Sequence, residues 1–293
     1  MLIGAGSGCQ SGESTATAVR TKAFIWKVTS NTTSVYMLGS VHVAKPDIYP
    51  LDDTIEDAFD DADYLVVELN PKEANLLYAS LLVAKYGSYP EGESLKDNIG
   101  EELYDEFKAK VQSPDINVEL SLEQYRPWVL LIAGAQSLYK SLDYEAESGI
   151  DMHFIERAVK KDKEIIELET IDYQITQLSS IPDGVIVKAI LADIGKDPEE
   201  EINAIFDTWA DGDSTELTKM IFEGLEQDPG IKPMYEKLYF ERNLKMAEKI
   251  EEFLSGTDVY FIVVGAGHLV GENGLVNLME RSGYQVEQPY NSD

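Results

Sequence analysis

Val259-Tyr260-Phe261-Ile262-Val263-Val264 runs straight into Gly265-Ala266-Gly267-His268-Leu269. Six consecutive β-branched or aromatic residues predict a strand buried on both faces. The glycines that follow let the backbone turn at the strand's carboxyl end and leave room for close approach, which is where an open α/β sheet holds its ligand. Near the other end of the chain Ser34-Val35-Tyr36-Met37-Leu38 runs into Gly39-Ser40-Val41-His42, the same device of strand, glycine, two residues and histidine. The whole chain has 3 histidines, and two of them occupy these matching positions. The rest of the fold is therefore read as the means of bringing His42 and His268 together.

A chain of 293 residues can bury a large core, as one big α/β domain or two smaller ones. At 44% hydrophobic residues, disorder is not expected. The balance of 24 basic against 54 acidic residues, a formal charge of -30, argues against nucleic acid as a partner because phosphate backbones are repelled. It fits a solvated acidic coat, and its field would draw multivalent cations. The single cysteine, Cys9, excludes an internal disulfide and a Cys-based zinc site. No apolar run approaches the roughly 18 residues needed to span a bilayer. A P-loop, a dinucleotide glycine fingerprint and a Gly-x-Ser-x-Gly elbow are absent from the sequence.

Residues 1–21 read as a flexible leader. Small residues around Cys9, then Gln10, Ser11, Gly12, Glu13 and Ser14, resemble the cleavage site and linker of a lipoprotein whose cysteine carries the lipid. Residues 22–293 are expected to form one domain. A hairpin opens it, with strands over 23–28 and 34–38 and a turn at Ser30-Asn31-Thr32-Thr33. Helix spacing covers 51–62, and Tyr64-Leu65-Val66-Val67-Glu68-Leu69 is a second buried strand whose one charge is Glu68. Helices follow over 74–86, 101–111 and 127–139, the last with Pro127 in its first turn. Asp151 is expected to cap a helix through 161. Residues 163–168 form a strand ending at Glu169, a long helix covers 234–254, and a short helix over 274–281 leads into a closing strand at 284–286. The result is a mixed, mainly parallel sheet flanked by helices, an α/β fold with helical insertions at about 70–145 and 171–256 lying over its active edge.

His42, Glu68 and His268 each sit at, or next to, the end of a strand, so parallel strands would carry them to one rim. Two imidazoles and a carboxylate are the ligand set of a transition-metal site with open positions. A divalent ion there would activate water and polarise a carbonyl. Glu169 is read either as a second rim carboxylate, ligand or base, or as the cap of a helix starting at Ile171. Arg126 and Arg242, among five arginines, are read either as guanidiniums facing a substrate oxyanion or as structural ion pairs. His153 is read as a satisfied histidine beside the core, with a third-ligand role as the alternative.

In their order, Gly39-Ser40-Val41-His42, Val66-Val67-Glu68-Leu69, Gly149-Ile150-Asp151, Leu168-Glu169-Thr170, Glu241-Arg242-Asn243 and Val264-Gly265-Ala266-Gly267-His268-Leu269-Val270-Gly271 resemble the TraB/GumN family over roughly residues 22–288. That family includes bacterial pheromone-shutdown proteins and the animal Tiki proteins. The resemblance implies a fold similar to erythromycin esterase and a haem-binding lipoprotein. It also implies a metal-dependent protease favouring manganese or cobalt, with zinc and iron as alternatives, at His42, Glu68 and His268. Tiki proteins are membrane-anchored and act outside the cell, which implies, with Cys9, an extracytoplasmic lipid-anchored protein rather than a cytoplasmic one. The expected function is a metallohydrolase acting on a peptide or protein. A peptide- or haem-sequestering binder and a metal-free esterase using His42 as base are the alternatives.

Overall fold

The computed structural model describes residues 23–45, 48–111 and 124–289. The Cys9 leader lies outside them. Strand β1 (Ile25–Thr29) and strand β2 (Ser34–Ser40) form the expected hairpin, with Ile25 opposite Leu38 and Ser30 N–H donating to the Thr33 carbonyl across the turn. After helix α1 (Asp53–Asp61), capped by the Asp52 carboxylate on Thr54 N–H, comes β3 (Tyr64–Val67). A helical block follows: α2 (Leu76–Gly87), α3 (Leu95–Ile99), α4 (Glu101–Lys110) and α5 (Pro127–Ser141). Helix α6 (Ile150–Lys161) then leads into β4 (Ile165–Glu167).

The second helical block holds α7 (Ile171–Ser180), α8 (Asp183–Asp193), α9 (Pro198–Ala210), α10 (Ser214–Gln227) and α11 (Lys232–Tyr235). A π-helical turn, Glu236–Phe240, joins α11 to α12 (Glu241–Leu254). The chain closes with β5 (Tyr260–Gly265), α13 (Ala266–Leu269), α14 (Leu275–Arg281) and β6 (Gln285–Glu287).

The six strands make one sheet in the order β4-β3-β5-β2-β1-β6. Strands β4, β3, β5 and β2 are parallel, while β1 runs antiparallel to both β2 and β6. The fold is thus α/β with a mixed, mostly parallel sheet. Strand β5 lies at its centre, and Phe261 to Val264 are all buried, as a strand covered on both faces requires. Phe59 of α1 and Phe154 of α6 meet Phe261 at ring-centroid distances of 5.5 and 4.8 Å, and Met246, Ile250 and Leu254 of α12 join the same core. Other helices of the two blocks close smaller cores of their own, one around Trp128, Ile175 and Ile186 and another around Leu95, Phe107 and Val187.

Three local expectations are corrected. The helix expected over 234–254 is interrupted by the π-turn, because one inserted residue keeps apolar side chains at near-helical spacing and leaves no trace in the pattern. Strand β4 is three residues long and only partly buried, since it is the sheet's edge. The cap of α6 is Gly149, with Asp151 inside the first turn. A side chain on Gly149 would meet the His42 carbonyl oxygen at 2.3 Å, so only glycine lets this helix start against the His42 loop. Among the described residues, no single helix is long and apolar enough to cross a membrane.

Candidate functional site at the carboxyl rim

The sheet register places the two Gly-x-x-His stations side by side. Gly39 pairs with Val264 and Ser40 with Gly265, so the turns carrying His42 and His268 leave neighbouring strands one residue out of step. On the other side of β5, Val67 pairs with Val263, and Glu68 follows at once. Next across the rim, Glu169 N–H donates to the Glu68 carbonyl at 3.0 Å, continuing the β3/β4 ladder past β4. The carboxyl ends of four parallel strands therefore present Glu169, Glu68, His268 and His42 in that spatial order. A Cβ on Gly265 would lie 3.2 Å from His42 Nε2, 3.4 Å from Glu68 Oε1 and 3.6 Å from His268 Cδ2. The three side chains thus converge on the face of Gly265, where a Cβ would sit in tight contact with His42 and Glu68.

Each converging group is held from behind. His42 Nδ1 is 2.9 Å from Asp151 Oδ2, while Ser40 Oγ donates to Asp151 Oδ1 at 2.9 Å. His268 Nδ1 lies 2.6 Å from Asn243 Oδ1, and Asn243 Nδ2 donates to the Asn273 carbonyl at 2.7 Å, which sets the amide's orientation. Glu68 Oε1 accepts Gly265 N–H at 2.7 Å, and Glu68 Oε2 accepts Arg242 Nη2 at 2.5 Å. Arg242 also donates through Nε and Nη2 to Glu169 and through Nη1 to the Leu238 carbonyl. The π-turn holds Tyr239 with its ring 5.3 Å from that of His268, and among the described residues its hydroxyl makes no hydrogen bond.

The two histidines are tuned in opposite directions. Asp151 raises the His42 imidazole from 6.5 to about 9, although its side chain is 65% exposed and water screens part of that pull. Burial drives His268 down to about 4, so it stays neutral near pH 7. Burial also opposes ionisation of Glu68, but the His268, Arg242 and His42 charges and the Gly265 N–H outweigh it and hold the carboxyl at about 2. With His268 neutral near pH 7, Arg242, the Gly265 N–H and the still-protonated His42 are the compensation that remains. Burial keeps the Tyr239 phenol protonated, with its pKa raised to about 12.

Two clefts meet here. One of about 550 Å³ is lined by Gln136, Gln174, Gln177 and Lys237, the other of about 360 Å³ by side chains of α9, α10 and the π-turn, and both reach His42, Glu68 and Arg242. Their walls include residues of both helical blocks.

The donor set has the chemistry of a cation site. With Nδ1–H assigned to Asn243, His268 turns an Nε2 lone pair toward Glu68 Oε1 at 3.6 Å, two acceptors facing each other. His42 Nε2 lies beside them, and the Asp151 and Asn243 contacts are the outer-shell bonds that orient metal-binding imidazoles. Among the described residues no three His, Cys, Asp or Glu side chains stand close enough to make a complete ligand set. What fits an ion is therefore the donors' type and orientation.

Sequence reasoning missed Asp151, Asn243 and Tyr239. Asp151 resembled a cap, Asn243 carried no signal beyond its place after Arg242, and Tyr239 read as core. Glu169 is not the cap of α7, a role taken by Thr170, but Arg242's partner. Arg126 stays away from the rim, donating to Asp183 at 2.8 Å and to the Ser179 carbonyl at 2.7 Å, and lines neither cleft. His153 stacks on Tyr49 at 4.2 Å with Nε2 near Glu56, so it is no third ligand of this group.

The architecture and rim define an α/β protein with a polar site built at the ends of its parallel strands. The chain belongs to the TraB/PrgY/gumN family, whose description matches residues 24–288. It is 25% identical over 248 residues to the uncharacterized protein YbaP of Escherichia coli (strain K12), covering 83% of this chain and 87% of that one, and equally to YbaP of Shigella flexneri. An uncharacterized protein of Treponema pallidum (strain Nichols) is 22% identical over 271 residues, covering 87% of this chain and 80% of that one. No solved structure matches the chain.

Proposed function

We propose that the chain is a hydrolase, most readily a peptidase, whose water is activated between His42, Glu68 and His268. The observation that carries this reading is the convergence of His42 Nε2, Glu68 Oε1 and the His268 ring on Gly265, where the two clefts meet. His42 Nε2 takes the water's proton, and Asp151 holds the ring and stabilises the imidazolium that forms. Glu68, kept ionised by Arg242 and Gly265 N–H, orients the same water. Arg242 spends most of its donors on Glu68, Glu169 and Leu238, so the developing oxyanion falls to the protonated Tyr239 hydroxyl. Where a divalent ion is bound, manganese or cobalt before zinc or iron, His42, His268 and Glu68 would hold it, with His42 Nε2 then a ligand in place of the base, and the ion would supply Lewis acidity for the water and the carbonyl. A metal-independent hydrolase is the second reading, favoured by the Asp151-paired His42, a base able to work without an ion.

Elemental analysis of protein purified without a His tag, beside the His42→Ala/His268→Ala double variant, tests the ion. Near-stoichiometric metal in the parent, lost in the variant together with chelator-sensitive peptide cleavage, is the expected result. Cleavage that persists without metal selects the second reading, and stoichiometric peptide binding without turnover overturns both in favour of a sequestering protein. The leader adds a proposal of place: lipidation at Cys9 would anchor the domain outside the cytoplasm. Radiolabelled palmitate should enter the full chain and not Cys9→Ser, and an unlabelled chain that remains in the cytosolic fraction would refute it.

A further inference from the structure

We infer that the smaller cleft is a specificity pocket for an apolar side chain next to the hydrolysed bond, an inference that rests on the hydrolase reading of the rim. The cleft is walled by Ile202, Ile205 and Phe206 of α9, Leu217 and Ile221 of α10, and Tyr239 of the π-turn. It opens on His42, Glu68 and His268, so whatever fills it is joined directly to the reacting group. Its volume of about 360 Å³ lies at the small end of ligand pockets, which run from about 300 to 1,000 Å³, and leaves ample room for a leucine- or phenylalanine-sized group. In a chain of net charge -30 these walls carry no acid, and an apolar group entering them removes apolar surface from water on both sides.

The other cleft is mixed, with polar groups set among Leu69, Pro71, Leu178 and Leu238. Gln136, Gln174, Gln177 and Lys237 offer amide and ammonium groups, suited to a peptide main chain or polar side chains. The apolar group of the substrate is thus placed toward α9 and α10, and the rest of it toward α7.

The pocket wall is also tied to the base. Trp209, one turn beyond Ile205 and Phe206 on α9, donates its buried Nε1–H to the Gly39 carbonyl at 2.6 Å, and Gly39 opens the loop that carries His42. The helix that walls the pocket is thus hydrogen-bonded to the strand end that leads to His42.

The test uses the full chain and a library of internally quenched peptides randomised on both sides of the scissile bond. The parent should prefer leucine or phenylalanine over alanine at one subsite by about tenfold or more, the scale of discrimination that a few methylenes give. Ile205→Phe, which narrows the pocket without adding charge, should shift that preference to smaller residues while cleavage persists. Cleavage with no apolar preference, or an unchanged preference in Ile205→Phe, overturns the inference and leaves the hydrolase reading standing. If no peptide is cleaved, the hydrolase reading fails by itself, and saturation-transfer NMR with N-acetyl-leucine amide and N-acetyl-serine amide decides the pocket. Saturation of the leucine probe alone, lost in both Ile205→Phe and Ile202→Glu, upholds the apolar pocket, and equal saturation of both probes overturns it.

Discussion

Arg242 Nη2 donates to Glu68 Oε2 at 2.5 Å and, from the same nitrogen, to Glu169 Oε2 at 2.6 Å. One guanidinium thereby holds two buried carboxylates of neighbouring strands at hydrogen-bond distance, where they would otherwise repel. The Arg242 side chain is 12% exposed, so its removal leaves two buried acids with neutral donors, Gly265 N–H and Gln174 Nε2, in place of the guanidinium they share. Arg242→Met should lower stability by about 3–5 kcal/mol, read as a fall in the urea midpoint at constant m-value. A loss below about 1 kcal/mol would show that water already shields the pair.

The His42–Asp151 contact fixes how the site responds to base. His42 is raised above its unfolded value of 6.5, so the contact's stabilisation is complete below about pH 6.5 and disappears as pH rises through about 9. The free base forms over the same upper range, and kcat/KM should climb toward pH 9. In Asp151→Asn the NMR titration midpoint of His42 should fall toward 6.5, with the activity rise moving down in step. A midpoint unchanged by the substitution would break this link.

His268 behaves in the reverse sense. Its folded value of about 4 lies below 6.5, so the unfolded chain binds the extra proton between those values and stability falls as pH drops from about 6.5 to about 4. A shift of that size corresponds to a loss on the order of 3 kcal/mol. Urea midpoints measured across this range should decline in the parent and flatten in His268→Gln. Glu68 adds a separate loss at lower pH, from about 4.5 down to about 2.

Tyr239→Phe removes a hydroxyl that has no partner among the described residues, so the fold should keep its stability within about 0.5 kcal/mol. If that hydroxyl stabilises the oxyanion, kcat should fall by about 100- to 1,000-fold with little change in KM. An undiminished kcat would remove Tyr239 from the mechanism.

The strands, their buried character and the glycines that end two of them were legible in the chain, because these follow from local pattern and backbone freedom. The sequence also singled out His42, Glu68 and His268, since histidines are scarce and a carboxylate in an apolar strand needs a partner. Which groups stand behind them depends on how distant segments pack. Asp151 is 109 residues from His42 in sequence, and its place in the first turn of α6 made it indistinguishable from a capping aspartate. Arg126 and Arg242 looked alike in apolar surroundings, yet helix packing gave one to Asp183 and the other to Glu68 and Glu169. The spatial order Glu169, Glu68, His268, His42 comes from strand pairing between distant segments. Local pattern carries no record of that choice, because pairing is selected by the burial of the whole sheet between its helices.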